Sequence, residues 1–260
     1  QIIEGLPQYT FALIFLGSQK KDYDTPKYTL PANVVHLECH YLWDQFSLSQ
    51  PKACKGNQSY IAASEKLHDW FRAPQANFDE ATVKKLLISL GQASGFTAEE
   101  FFYSEASWNQ LCEFYEKYNS QNSFIDYIWT IKAMHTPLFK LAQVAHQFSL
   151  PTGAFHAIST GFAGFLGVLL HYLTGRPLIL TELWIRFFES LGRLVYKASD
   201  PIISLYETNR ERQVNDGADR IRTQVIPNGM AVERFLELRA QRPEKIPLVV
   251  GLLGRILPIK

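Results

Sequence analysis

Short, nearly continuous apolar runs recur along the chain at residues 11–16, 34–38, 153–158, 177–181, 201–205, 223–226 and 248–253. Runs of this length that do not alternate suit strands buried on both faces, the habit of parallel sheets. Periodicity alone leaves short buried helices open for each of them. From residue 153 onward the runs alternate with helix-patterned segments at 162–173, 184–198 and 209–216, the last closing on Gly217. That alternation predicts an α/β fold built on a doubly wound parallel sheet.

The middle of the chain has a different pattern. Residues 60–148 hold few strand-like runs and many aromatic and helix-forming side chains. The segment 64–71 is amphipathic, and Asp79 is placed to cap a helix opening at 78–80. Further helices are predicted over 99–118 and 123–148, the second broken near Pro137. This stretch is expected to be a helical insertion in the α/β domain. The polar, basic segment 233–246 separates the run at 223–226 from that at 248–253. The expected plan is one domain over 1–236, a linker over 237–246, and the first strand of a second domain over 247–260. The opening Gln1–Pro7 has the pattern of a helix tail closing on Gly5, so further sequence is expected upstream.

Composition narrows the class. Across 260 residues 47% are hydrophobic and 20% charged, enough for a packed core and ordinary for a globular chain. A net charge of +1, from 26 basic and 25 acidic residues, gives no basic excess for nucleic acid. Cys39, Cys54 and Cys112 are widely spaced and lack a CxxC pair, which argues for reduced thiols over a disulfide scaffold or a zinc site. The longest apolar run, 161–173, is interrupted by His171 and is shorter than the roughly 20 residues of a membrane span.

Candidate chemistry gathers at strand ends. His156 falls late in a predicted strand, ahead of Ser159-Thr160-Gly161 and a helix with Gly161, Gly164 and Gly167 at three-residue spacing. In open α/β sheets ligands bind at the carboxyl ends of strands, beside free helix N–H groups. The same pattern also fits a satisfied core histidine and small residues that ease helix packing. Pro227-Asn228-Gly229 is a turn signal. Gly254-Arg255, with Lys260 five residues later, places two cations past another strand, either as phosphate binders or as a solvated loop. Glu182 and Glu207 also end predicted strands. They are candidates for holding sugar hydroxyls, but pairing with Arg186, Arg210 or Arg212 is the preferred reading.

In this order, these elements resemble the family 4 glycosyltransferases of the GT-B fold. The carrying residues are Pro227-Asn228-Gly229 and Gly254-Arg255 with Lys260, joined by Glu4-Gly5-Leu6-Pro7 leading to the run from Phe11 to Ser18, the run from Ala133 to Phe139, the run from His156 to Gly164, and Trp184 to Gly192. The resemblance spans essentially the whole chain and is closest to members that build bacterial exopolysaccharide. It implies two Rossmann-like domains facing a cleft. It also implies transfer of a hexose or hexosamine from a uridine diphosphate sugar to a growing polysaccharide, with retention and without a metal or other cofactor. By this likeness His156 is the catalytic-cleft histidine, Arg255 and Lys260 bind the donor diphosphate, and Thr160, Gly161, Glu182, Asn228 and Gly229 support the cleft and its turns. The likeness further implies a cytoplasmic enzyme recruited to the inner membrane by synthase partners, with no membrane span of its own.

The chain departs from the family pattern in three places. The glycine-rich loop after the family's first strand has no counterpart. Leu183-Trp184 follows Glu182 where the family has His-Gly and a longer loop. The carboxylate pair for the donor sugar would fall beyond Lys260. A polypeptide of only these residues is therefore expected not to turn over. Two other readings stand beside the enzyme: a non-catalytic sugar-nucleotide-binding or scaffold subunit of a synthase complex, and an unrelated α/β ligand-binding domain.

Overall fold

Seven residues from Phe11 to Gly17 form β1, and Val34–Tyr41 form β2 beside it in parallel register, in a computed structural model of the chain. The structure describes residues 3–20, 29–44, 54–72, 78–121, 123–182 and 189–227. Five helices follow: α1 (Gln58–Arg72), α2 (Glu80–Ser89), α3 (Ala98–Tyr103), α4 (Glu105–Tyr118) and α5 (Phe124–Gln147). The chain then alternates β3 (Phe155–Ala157), α6 (Phe162–Thr174), β4 (Leu178–Glu182), α7 (Glu189–Ala198), β5 (Ile202–Ser204), α8 (Glu207–Asn215) and β6 (Thr223–Val225). The fold is mixed α/β with parallel sheets. The second sheet has the order β3-β4-β5-β6, every pair parallel. Two compact units divide the chain, Gln1–Ile226 and Pro227–Lys260. The expected linker and the strand at 248–253 lie outside the described residues.

The register sorts the side chains of the second sheet. His156 pairs with Ile179, Thr181 with Ile203, and Ile203 with Gln224, so these five share one face. The opposite face carries Phe155, Ala157, Leu178, Leu180, Ile202, Ser204 and Thr223, all buried. Strands in sequential order joined by crossovers of one hand place α6, α7 and α8 on a single side, over this buried face.

Helix α6 sits at the centre of the unit Gln1–Ile226. It packs on β3 and β4, on its neighbour α7, and on α2 and α5 of the insertion. Its residues from Gly164 to Leu170, and Tyr172, are all buried. A helix that is apolar on every side must be enclosed on every side, which accounts for the longest apolar run in the sequence. Among the described residues no helix is long and apolar enough to cross a membrane. Two glycines permit the enclosure. A Cβ on Gly164 would lie 2.6 Å from the Ser159 carbonyl oxygen, and one on Gly167 would lie 2.7 Å from Leu178 Cδ1. These glycines serve helix packing, one of the two purposes open at the level of sequence.

Helices α1 to α5 lie between β2 and β3, and two of the expected helices differ in detail. The stretch 99–118 is two helices, α3 and α4, divided at Ser104. Ser104 is extended (ψ 151°), closes α3 with its N–H on the Glu100 carbonyl, and opens α4 by accepting from the Ser107 N–H at 3.1 Å. Buried and holding one helix start, it cannot also continue α3. Replacing Ser104 with alanine is expected to cost about 1 kcal/mol through loss of the cap, read as a lower urea midpoint at unchanged slope.

The expected break at Pro137 does not occur, and α5 runs unbroken through it. Proline deprives a carbonyl one turn back of its partner and crowds that turn. Here side chains of that turn fold back on the backbone. Thr136 Oγ1 donates to the Lys132 carbonyl at 2.7 Å, and His135 Nδ1 lies 2.8 Å from the Ile131 carbonyl. Pro137 itself is buried with Phe139, Leu141 and Ala142. Burial of this face outweighs the local penalty, a balance that propensity cannot show. Asp79 caps α2 as expected, accepting from the Thr82 N–H and hydroxyl at 3.1 and 2.6 Å.

Candidate functional site

Parallel strands end together, and the carboxyl ends of β3 and β4 bring His156 to Thr181. His156 Nε2 lies 2.9 Å from Thr181 Oγ1. Thr181 is buried, whereas His156 keeps much of its ring open to solvent. Desolvation of the part-buried ring lowers the imidazole pKa below its ordinary range. The group at neutral pH is therefore a neutral imidazole, fixed at one nitrogen and open on the side away from the helices.

The loop after β3 turns at once into α6. Thr160 is buried, and a Cβ on Gly192 of α7 would meet its Cβ at 3.5 Å, so the loop is wedged against α7. Gly161 is the N-cap of α6 and makes no side-chain cap, while its carbonyl accepts from the Phe165 N–H at 2.9 Å. His156, Thr160 and Gly161 thus gather at one strand end, at the start of a buried helix. Glu182 is the last residue of β4 and pairs across to Ser204 of β5, which puts it at the same sheet edge. Asn228, Gly229, Arg255 and Lys260 lie outside the described residues. Glu207 begins α8 and accepts from Arg210 Nη1 at 2.7 Å, the structural role preferred for it.

Three further groupings lie outside the residues singled out from the sequence. On one face of β2, the Glu38 carboxylate joins His36 at 2.8 Å and His40 at 3.1 Å. The hydrogen bonds from His36 and then His40 hold the Glu38 carboxyl below its usual range. The i, i+2, i+4 spacing of His-x-Glu-x-His on a strand would have revealed this one. Just past β2, Trp43 donates its N–H to the Ser18 carbonyl at 2.9 Å and sets its ring edge against Phe162, the first residue of α6, at 5.5 Å. The end of β2 therefore meets the same helix start that follows His156. The third is a contact between His68 of α1 and His135 of α5, 67 residues apart. Among the described residues no group of three or more His, Cys, Asp and Glu side chains is placed to hold a metal ion. The three cysteines are free, Cys39 and Cys54 at the surface.

No curated protein and no solved structure matches the chain. One family does match, over residues 1–183 and 181–221, which takes in both described sheets up to the end of α8 and the whole helical insertion. The chain therefore belongs to the family described as "Domain of unknown function (DUF3492)".

Proposed function

We propose that this chain is the acceptor-side part of a retaining glycosyltransferase of GT-B type, similar to PelF of Pel exopolysaccharide synthesis. In this reading the enzyme transfers a hexose or hexosamine from a uridine diphosphate sugar to a growing polysaccharide. The observation that carries the reading is the placement of His156. It is a neutral, half-anchored imidazole at the carboxyl edge of a parallel sheet, beside the start of α6, where α/β folds bind their ligands.

The chemistry asked of each residue follows from its type. The Thr181 hydroxyl fixes the His156 ring through Nε2 and leaves Nδ1 for a sugar hydroxyl. A neutral imidazole can take a proton near neutral pH without first shedding one. Arg255 and Lys260 supply fixed positive charge to the leaving diphosphate, the electrostatic task such a transfer needs. The likeness to family 4 glycosyltransferases assigns Glu182, Asn228 and Gly229 supporting roles. The doubly wound arrangement, the second Rossmann-like domain and recruitment to the inner membrane by Pel synthase subunits belong to the same proposal.

The test is direct. The intact protein is expected to bind uridine diphosphate in calorimetry, and Arg255→Ala to weaken that binding by at least about tenfold, since a hydrogen bond to a charged group contributes roughly 1.5–3 kcal/mol. No measurable binding by the intact protein, or equal affinity in the variant, would remove the donor assignment.

A further inference from the structure

We propose that Trp43 and Asp44, side by side at the exit of β2 and against the start of α6, form a subsite for a pyranose ring of the acceptor chain. The indole serves as the stacking platform and the carboxylate as the partner of ring hydroxyls. The subsite rests on the sugar-transfer reading and adds to it a grip on the acceptor.

Strands β1 and β2 end together, with Gly17 opposite Tyr41. Their exits stay joined beyond that pair. The Leu42 N–H donates to the Gly17 carbonyl at 2.9 Å, and the Trp43 N–H to the Ser18 carbonyl at 2.9 Å. The Lys140 ammonium of α5 donates to the Tyr41 carbonyl, and the Leu42 side chain is buried. Asp44 completes the array, since the Lys20 N–H lies 3.2 and 3.4 Å from its two carboxylate oxygens. The exit is thus held in place before any ligand arrives, and a preorganised site loses less entropy on binding.

Trp43 is held in this way and is still 48% exposed. Its ring meets that of Phe162 nearly at right angles, 71° between the planes and 5.5 Å between centroids. The contact anchors the indole without stacking on it, so a broad face stays open to solvent. A single exposed apolar side chain is ordinary on a protein surface. This one is braced through its backbone, stands next to a fixed carboxylate and lies at a strand end. Phe162 opens α6 directly after Thr160 and Gly161, so the indole stands at the helix start that follows His156. Both sheets therefore bring chemistry to the same helix start.

A pyranose with equatorial substituents has two unlike parts. Its faces present axial C–H bonds, apolar and weakly positive. An indole face is apolar and carries the negative side of the ring quadrupole, so the two pack face to face. The rim of the sugar carries hydroxyls, and each costs free energy if it loses water without gaining a partner. A carboxylate has about four lone-pair sites, and the Lys20 N–H leaves room on Asp44 for ring hydroxyls. A nucleobase could also stack on the indole. The adjacent carboxylate repels the phosphates that a nucleotide brings, which selects an uncharged acceptor sugar over the donor.

The experiment is calorimetric titration of the intact protein with cellotetraose, with chitotetraose and, separately, with uridine diphosphate. The wild type is expected to bind at least one tetraose. Trp43→Ala and Asp44→Asn should each weaken that binding by at least about tenfold, and Trp43→Phe, with its smaller ring, by less. Affinity for uridine diphosphate should be the same in every variant. Binding of uridine diphosphate with neither tetraose bound overturns the subsite and leaves the sugar-transfer reading standing. Equal tetraose affinity in wild type and Trp43→Ala overturns it as well. So does a parallel loss of uridine diphosphate binding, which marks a role in the donor site or in the fold. A wild type that binds none of the three removes the reading and the subsite together. Should Trp43→Ala fail to fold, Trp43→Phe and Asp44→Asn decide by the same criteria.

Discussion

On the proposed reading, sugar transfer by the intact protein is expected to fall by about 10²–10⁴ in kcat when His156 becomes alanine, the range over which a positioned acid or base contributes. The fold should survive, because the ring lies on the open face of the sheet and much of it is solvent-exposed. Unchanged thermal unfolding with lost turnover would therefore separate chemistry from stability. Thr181→Val sharpens the test. It keeps the shape of the buried side chain and removes the hydroxyl 2.9 Å from Nε2. The ring then loses its orientation, so kcat should drop by a smaller factor with KM little changed. The pH profile carries an independent sign. The His156 pKa is lowered, so the neutral imidazole persists below 6.5. kcat/KM should hold steady as the pH falls through the ordinary histidine range and decline only below it. Wild-type turnover in His156→Ala would end the catalytic assignment whatever else the protein does.

Gly164→Ala is expected to be among the most damaging single-methyl changes in the described core, costing about 1–3 kcal/mol. The added carbon would lie 2.6 Å from the Ser159 carbonyl oxygen and 3.0 Å from Val195 Cγ2. The carbonyl is backbone and cannot rotate aside, so β3's exit loop or α6 must shift. Gly167→Ala makes a useful contrast. Its close neighbour, at 2.7 Å, is the end of the Leu178 side chain, which has other rotamers. Urea unfolding should rank Gly164→Ala well below Gly167→Ala in stability, and equal midpoints would contradict the packing account. Since Ser159 lies between His156 and the start of α6, Gly164→Ala should also disturb the candidate site.

Much of this architecture was legible in the chain. The apolar runs near residues 11, 34, 155, 178, 202 and 223 are the six strands described, and the glycine-bearing segment after His156 is α6. Buried parallel strands and an enclosed helix need continuous apolar residues, and that requirement is written locally. The capping role of Asp79 was legible for the same reason, because a cap acts within a few residues of itself. The dual role of Ser104 and the continuity of α5 through Pro137 were not. Each depends on which face of a helix is buried, and by what.

The candidate site divides along the same line. Strand pattern alone placed His156 at a strand end before a glycine turn. It left open whether the ring was a core residue or faced outward, since that depends on which sheet face the helices cover. Register and crossover direction settle it, putting His156 with Ile179 and Thr181 on the face away from α6, α7 and α8. The partnership with Thr181 arises because neighbouring parallel strands bring residues 25 apart within hydrogen-bond reach. The His68–His135 contact goes further, joining two helices across 67 residues with no periodic trace. Hydrophobic pattern determines which segments are buried, through the local free energy of removing apolar surface from water. Which polar groups then meet is decided by the packing of those segments, and only the tertiary structure records it.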